Sequence, residues 1–174
     1  MFLTLYHGSN VEIKKFDPKF FNTGTGNQEL GTGFYFTDSI DVASGYGKYI
    51  HECKVRIGNK LDVHKEGKLH PQTIEFIIKN APNYKETLEN FGEIDREGFY
   101  KVLYDAIDIY NTGGRISTVL FNLENDFYDG YEYRFNQILY RTRLKINCIY
   151  EKRENMIYNI FFPDQIKILR VFEV

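Results

Sequence analysis

The sequence predicts an α+β fold, with strands at both ends of the chain and helices between them. Three observations carry that expectation. Short, alternating apolar runs open the chain, "FLTLY" (2–6), "FYFT" (34–37) and "YIHECKVRI" (49–57). Three more close it, "INCIYE", "MIYNIFF" and "IKILRVFEV". From roughly 71 to 128, apolar residues recur at helical spacing instead, so strands and helices are segregated rather than alternating as βαβ units.

Each element has its own signal. "FLTLY" is a short strand with His7 just beyond it. "NTGTGNQELGTG" (22–33) packs four glycines into twelve residues and reads as a flexible loop. "FYFT" is a strand; Asp38 or Ser39 then caps a helix over 39–48 that Gly45 and Gly47 weaken and end. In the middle, "DREGFYKVLYDAIDIY" (95–110) places Phe99, Leu103, Ala106 and Tyr110 on one helical face. Another helix runs over about 131–144. "INCIYE" and "MIYNIFF" then form a hairpin across "KREN", and "IKILRVFEV" is the last strand.

Composition narrows the class of function. A chain of 174 residues is long enough to bury a full core as one domain. With 22 Lys and Arg against 24 Asp and Glu, no global basic field points to nucleic acid. Cys53 and Cys148 are far apart and form no C-x-x-C, which argues against a disulfide scaffold or a zinc site and suits a reducing, cytoplasmic setting. No apolar run reaches the length of a membrane span, so no membrane association is expected.

The residues suited to chemistry lie near the start of the chain. His7 precedes Gly8 and Ser9; a lone histidine at a strand end is more often structural. Gly8 has no side chain to block a ligand, and its backbone N–H and C=O could read a carboxamide as donor and acceptor together. Tyr35 follows a glycine loop bearing Gly31 and Gly33, and Tyr46 ends the following helix; core tyrosines are the plainer reading of both. Glu151 and Glu154 flank the C-terminal hairpin turn, where a solvated turn is the plainer reading and no neighbouring histidine completes a hydrolytic triad. Neither a phosphate-binding loop nor a dinucleotide fingerprint occurs with its required spacing. On the helix at 131–144, Arg134, Arg141 and Lys145 form a basic stripe beside Phe135, Ile138, Leu139 and Thr142. That stripe is either a solvated face or a seat for a pyrophosphate, an acidic partner or a nucleic-acid backbone.

Taken together, "LYHGS" (5–9), "GTGFYFTD" with the following "A" and "GY" (31–46), and "NIFFPDQIKIL" (159–169) resemble ADP-ribosyltransferases of the diphtheria-toxin and poly(ADP-ribose) polymerase type. The resemblance is nearest to small bacterial and phage members, including those of polyvalent phage proteins and a phage anti-CRISPR enzyme. It implies a split antiparallel β-sheet core with a helical region inserted at about 70–144, the whole of 1–174 forming one domain. NAD is the implied co-substrate. His7 then bonds a ribose hydroxyl, Gly8 grips the nicotinamide amide through its backbone, and Tyr35 and Tyr46 stack the nicotinamide ring. Ser9, Gly33, Phe34, Ser44 and Ile157 complete the NAD-binding set that the resemblance implies. Many members carry a serine three residues before the second tyrosine; this chain has Ala43 there and Ser44 beside it. The family's third motif residue is commonly a glutamate, and its position falls on Ile157. A neighbouring strand or turn would then supply the acid, from Glu154 in preference to Glu151.

The expected activity is transfer of a single ADP-ribose to a macromolecular acceptor, a host protein first and a nucleic acid second, in a toxin, host-takeover or counter-defence role. Two rival readings stay open: a catalytically inactive NAD- or ADP-ribose-binding module, and a transferase whose acceptor is nucleic acid.

Overall fold

β-branched and aromatic residues in alternation give the terminal segments their strands. A computed structural model of the chain describes residues 1–21, 23, 30–92 and 98–174. Much of the glycine-rich loop (22 and 24–29) and the start of the helix read from 95 lie outside the described residues. Contacts divide the chain into two compact units, residues 1–62 with 146–174, and residues 63–145.

The first unit holds the sheet. Its strands are β1 (Phe2–Ser9), β2 (Phe34–Thr37), β3 (Tyr49–Arg56), β4 (Lys60–Asp62), β5 (Cys148–Lys152), β6 (Met156–Ile160) and β7 (Ile166–Glu173). They form one seven-stranded sheet in the order β4-β5-β6-β2-β1-β3-β7. All neighbours are antiparallel except β4 and β5, which run parallel. Two expectations are corrected here. β1 continues through His7 to Ser9, so His7 lies within a strand rather than after one. The sheet is also not wholly antiparallel, because β4 adds itself to its edge; its three residues are too few to show alternation.

One joint in this sheet is narrow. β1 pairs with β3 over eight successive residues, but β1 and β2 share a single register pair, Tyr6↔Thr37. Below the sheet, Leu5, Phe34, Phe36, Cys53, Val55, Cys148 and Ile160 form the core, with Phe16 packed into it from the segment after β1. Burial pushes both thiols, Cys53 and Cys148, up to about 12.

The expected helix over 39–48 is short, α1 (Ile40–Ser44). Ser39 caps it by accepting from the Val42 N–H, whereas Asp38 accepts from the Met156 N–H on β6.

The second unit is helical: α2 (Pro71–Lys79), α3 (Tyr84–Glu89), α4 (Phe99–Tyr110), α5 (Ile116–Tyr128) and α6 (Glu132–Arg141). On α4, Leu103, Ala106 and Tyr110 are buried as the periodicity predicts, together with Val102 and Ile107. The Tyr128 hydroxyl donates to the Ile77 carbonyl at 2.6 Å, tying the end of α5 to α2. Among the described residues, no helix is long and apolar enough to cross a membrane.

Candidate active site

The narrow joint between β1 and β2 creates the site. Continuing the Tyr6↔Thr37 register would set Gly8 opposite Tyr35, but no such pairing forms. The His7 side chain spans the gap instead, with its Nδ1 2.8 Å from the Tyr35 carbonyl oxygen. A carbonyl can only accept, so Nδ1 carries the proton and Nε2 presents a lone pair. The ring is enclosed by Phe16 at 5.2 Å, Phe36 at 5.6 Å and His51 at 5.9 Å between centroids. Desolvation lowers the His7 pKa to about 4, with His51 adding to the effect and the Tyr35 carbonyl opposing it, so the imidazole is neutral at physiological pH.

His51 is fully buried opposite His7 on β3. Its Nδ1 donates to the His7 carbonyl at 3.2 Å, and its Nε2 accepts from the Ile13 N–H at 2.7 Å. It thereby straps the segment after β1 to the strand that carries His7. Burial lowers its pKa as well.

Tyr35 is held from the other side. Its hydroxyl accepts from the Leu30 N–H at 3.0 Å and donates to the Gly31 carbonyl at 2.7 Å. Gly31 turns with φ 79°, the left-handed conformation that glycine allows. Gly33 has a different requirement: a Cβ there would fall 1.9 Å from Asn159 Oδ1. Gly8 answers to α1, since its Cβ would lie 1.8 Å from the Ala43 carbonyl oxygen. The close approach read as room for a ligand is therefore taken up by the helix, although Gly8 also borders the cavity described next.

A cavity of about 750 Å³ lies at this joint. His7, Gly8, Ser9, Tyr35 and Tyr46 line it, as do Gly33, Phe34 and Ile157. Tyr46 is 53% exposed at the end of α1, a ring at the mouth rather than in the core. Three expected residues are absent from the wall. Ser44 turns its hydroxyl to the Asp41 carbonyl of its own helix at 2.7 Å, and Ala43 faces the cavity in its place. Glu151, opposite Ile157 on the neighbouring strand, accepts from Arg153 Nε at 2.7 Å. Glu154 stands exposed in the hairpin turn between β5 and β6. Among the described residues, the acids that border the cavity are Glu12 and Asp17, and Asp17 already caps a 3-10 turn at Pro18–Phe20.

The family model described as ADP-ribosyltransferase in polyvalent proteins matches residues 1–170. The chain belongs to this ADP-ribosyltransferase family. No curated protein gives a significant match. A solved structure described as "Crystal structure of an anti-CRISPR protein" aligns with 14% identity and a TM-score of 0.41, covering 100% of this chain and 96% of that one.

For a member of the ADP-ribosyltransferase family, the geometry has a direct chemical use. The cavity combines a neutral imidazole with an acceptor nitrogen, the three tyrosines Tyr6, Tyr35 and Tyr46, and glycine-lined backbone, which suits a flat polar ring joined to a sugar. Residues within or beside this site that the sequence reading passed over are Glu12, Phe16, His51 and Asn159.

Proposed function

We propose that this protein transfers a single ADP-ribose from NAD to a macromolecular acceptor, with release of nicotinamide. The observation that carries the reading is one cavity bordered by His7, Gly8, Tyr35, Tyr46 and Ile157. Tyr35 and Tyr46 hold the nicotinamide ring. His7 Nε2 accepts from a ribose hydroxyl. The bond from the ribose C1′ to the nicotinamide nitrogen breaks, its electron pair leaves with the ring, and positive charge develops on the ribose. The acceptor's nucleophile then bonds to C1′ and gives up its proton. A carboxylate near the cationic ribose stabilises it, as in glycoside cleavage. Glu154 and then Glu151 are our candidates for that acid, brought in by the hairpin turn. Single transfer is supported by Ile157, which stands where the elongating relatives invoked by the resemblance carry a glutamate. The narrow β1–β2 joint is our counterpart of the family's split sheet, and we read 1–174 as one functional domain with a cytoplasmic, toxin-like, host-takeover or counter-defence role.

The test is incubation with labelled NAD and host lysate. Label transfer and free nicotinamide are expected. His7→Ala and Tyr35→Ala should each reduce nicotinamide release by about 100-fold or more, the usual scale for losing a preorganised group. Glu154→Gln should do the same if the turn supplies the acid; full turnover in that variant moves the role to Glu151. A wild-type protein that neither transfers label nor releases nicotinamide sinks the reading.

A second reading is an NAD-binding module without turnover. It is favoured by Ile157 on the wall and by Glu151 and Glu154 off it. Calorimetric NAD binding without nicotinamide release would select it. A third, a nucleic-acid acceptor, is favoured by the exposed Arg134, Arg141 and Lys145.

A further inference from the structure

The segment that precedes Tyr35 is fastened twice at the same place. From β6, Asn159 Nδ2 donates to the Leu30 carbonyl and to the Gly31 carbonyl, each at 2.9 Å. From β2, the Tyr35 hydroxyl takes the Leu30 N–H at 3.0 Å and gives its proton to the Gly31 carbonyl at 2.7 Å. Tyr35 and Asn159 are directly opposed in the β2–β6 register, so their side chains leave the sheet on one face and meet the same two residues. Asn159 is fully buried, Leu30 is 4% exposed, and Gly33 has no Cβ because one would strike Asn159 Oδ1.

We infer that Asn159 is a positioning residue for the nicotinamide site: together with the Leu30–Gly31 backbone it pins the Tyr35 ring by its hydroxyl, presenting it as a fixed stacking plate. This rests on the proposed NAD chemistry. The Tyr35 hydroxyl is then committed to the protein's own backbone rather than to the ligand, and the ring faces the cavity with its swing arrested. A pinned plate costs less ordering entropy when the ligand arrives than a mobile one. Glycine at 33 follows from the same device, because it leaves room for the carboxamide that grips the turn.

Tyr35→Phe keeps the ring and removes both hydroxyl bonds. Asn159→Asp keeps the shape and, when ionised, turns a double donor into an acceptor facing two carbonyl oxygens. Each should raise KM for NAD in the nicotinamide-release assay by about 3- to 10-fold, the worth of one or two net hydrogen bonds, with kcat within about 2-fold. Because both act through one segment, the double variant should fall well short of the product of the singles. A purely structural role for Asn159 would instead lower the active fraction at unchanged KM, and that result overturns the inference. So does a double variant equal to the product.

A second measurement needs no NAD. The Leu30 amide is sealed by the Tyr35 hydroxyl, so its hydrogen exchange should accelerate in Tyr35→Phe, a variant that keeps the ring's packing. Unchanged exchange there refutes the clamp even if Asn159→Asp fails to fold. Accelerated exchange in a protein whose wild type does not bind NAD leaves the clamp standing and refutes its role in an NAD site.

Discussion

At His7 two demands meet in one ring. The imidazole replaces a missing backbone pair between β1 and β2, and the nitrogen left over is what a ribose hydroxyl would meet. The second use requires the neutral form, because only an unprotonated Nε2 can accept, whereas the bond to the Tyr35 carbonyl survives protonation of the ring. Its folded pKa, about 4, lies below the ordinary 6.5, so in that window the unfolded chain binds the extra proton. Stability is therefore complete above 6.5 and is lost as pH falls toward 4, with His51 contributing in the same direction. Urea titrations across this range should give a falling midpoint for the wild type and a shallower fall for His7→Gln. KM for NAD should stay flat from about pH 7 to 9, where His7 is neutral, and rise below about pH 5. Equal midpoints for wild type and variant at every pH would remove His7 from this account. His7 and Tyr35 are legible in the sequence because each sits in a short motif with a glycine within two residues. His51 and Asn159 are not. "YIHECKV" and "YNIFF" are ordinary strands, and only the register that sets 51 against 7 and 159 against 35 gives those polar side chains their partners.

Among the elements, α1 shows what glycine placement does. Its Ala43 carbonyl rests on Gly8, and Tyr46 follows just beyond the helix. Gly8→Ala would place a methyl 1.8 Å from a backbone oxygen and 3.3 Å from Tyr46 Cβ, so the whole helix must lift. The expected cost is about 1–3 kcal/mol, as for other forced insertions into a packed contact, with NAD affinity lost as Tyr46 moves. Gly45→Ala is the control. Gly45 has φ −64°, and its Cβ would meet only the Val42 carbonyl oxygen at an ordinary 3.4 Å. That substitution should be neutral or stabilising by up to about 1 kcal/mol. Thermal melts of the two variants distinguish the cases; equal melts would mean that α1 does not depend on the Gly8 seat. The same helix marks where sequence reading thins out. A helix of five residues carries too little periodicity to fix its end, and β4, with three residues, carries none. The longer strands and α4 were legible because alternation and helical spacing had room to repeat.

Across the whole molecule, charge separates what the first unit does from what the second offers. Many surface cations are paired, Lys48 with Glu173, Arg56 with Asp164 and Arg170 with Glu52 among them. Arg134, Arg141 and Lys145 are exposed and have no such partner among the described residues. Arg134 and Arg141 lie two helical turns apart, about 10 Å along the axis, flanking the buried face of Phe135, Ile138 and Leu139 on α6. Arg141, in the last turn, also favours the helix dipole; Arg134, in the first turn, does not. Charge reversal separates that role from acceptor binding. Arg134→Glu with Arg141→Glu touches only exposed positions, so each should change stability by no more than about 0.5 kcal/mol. On the proposed chemistry, nicotinamide release into water depends on the cavity of the first unit and should be unchanged. If the stripe holds a nucleic-acid acceptor, labelling of that acceptor should collapse in the variant, and wild-type binding should weaken steeply with salt, by a log–log slope of roughly one per phosphate neutralised. Unchanged labelling and a flat salt response would leave the stripe an ordinary solvated face.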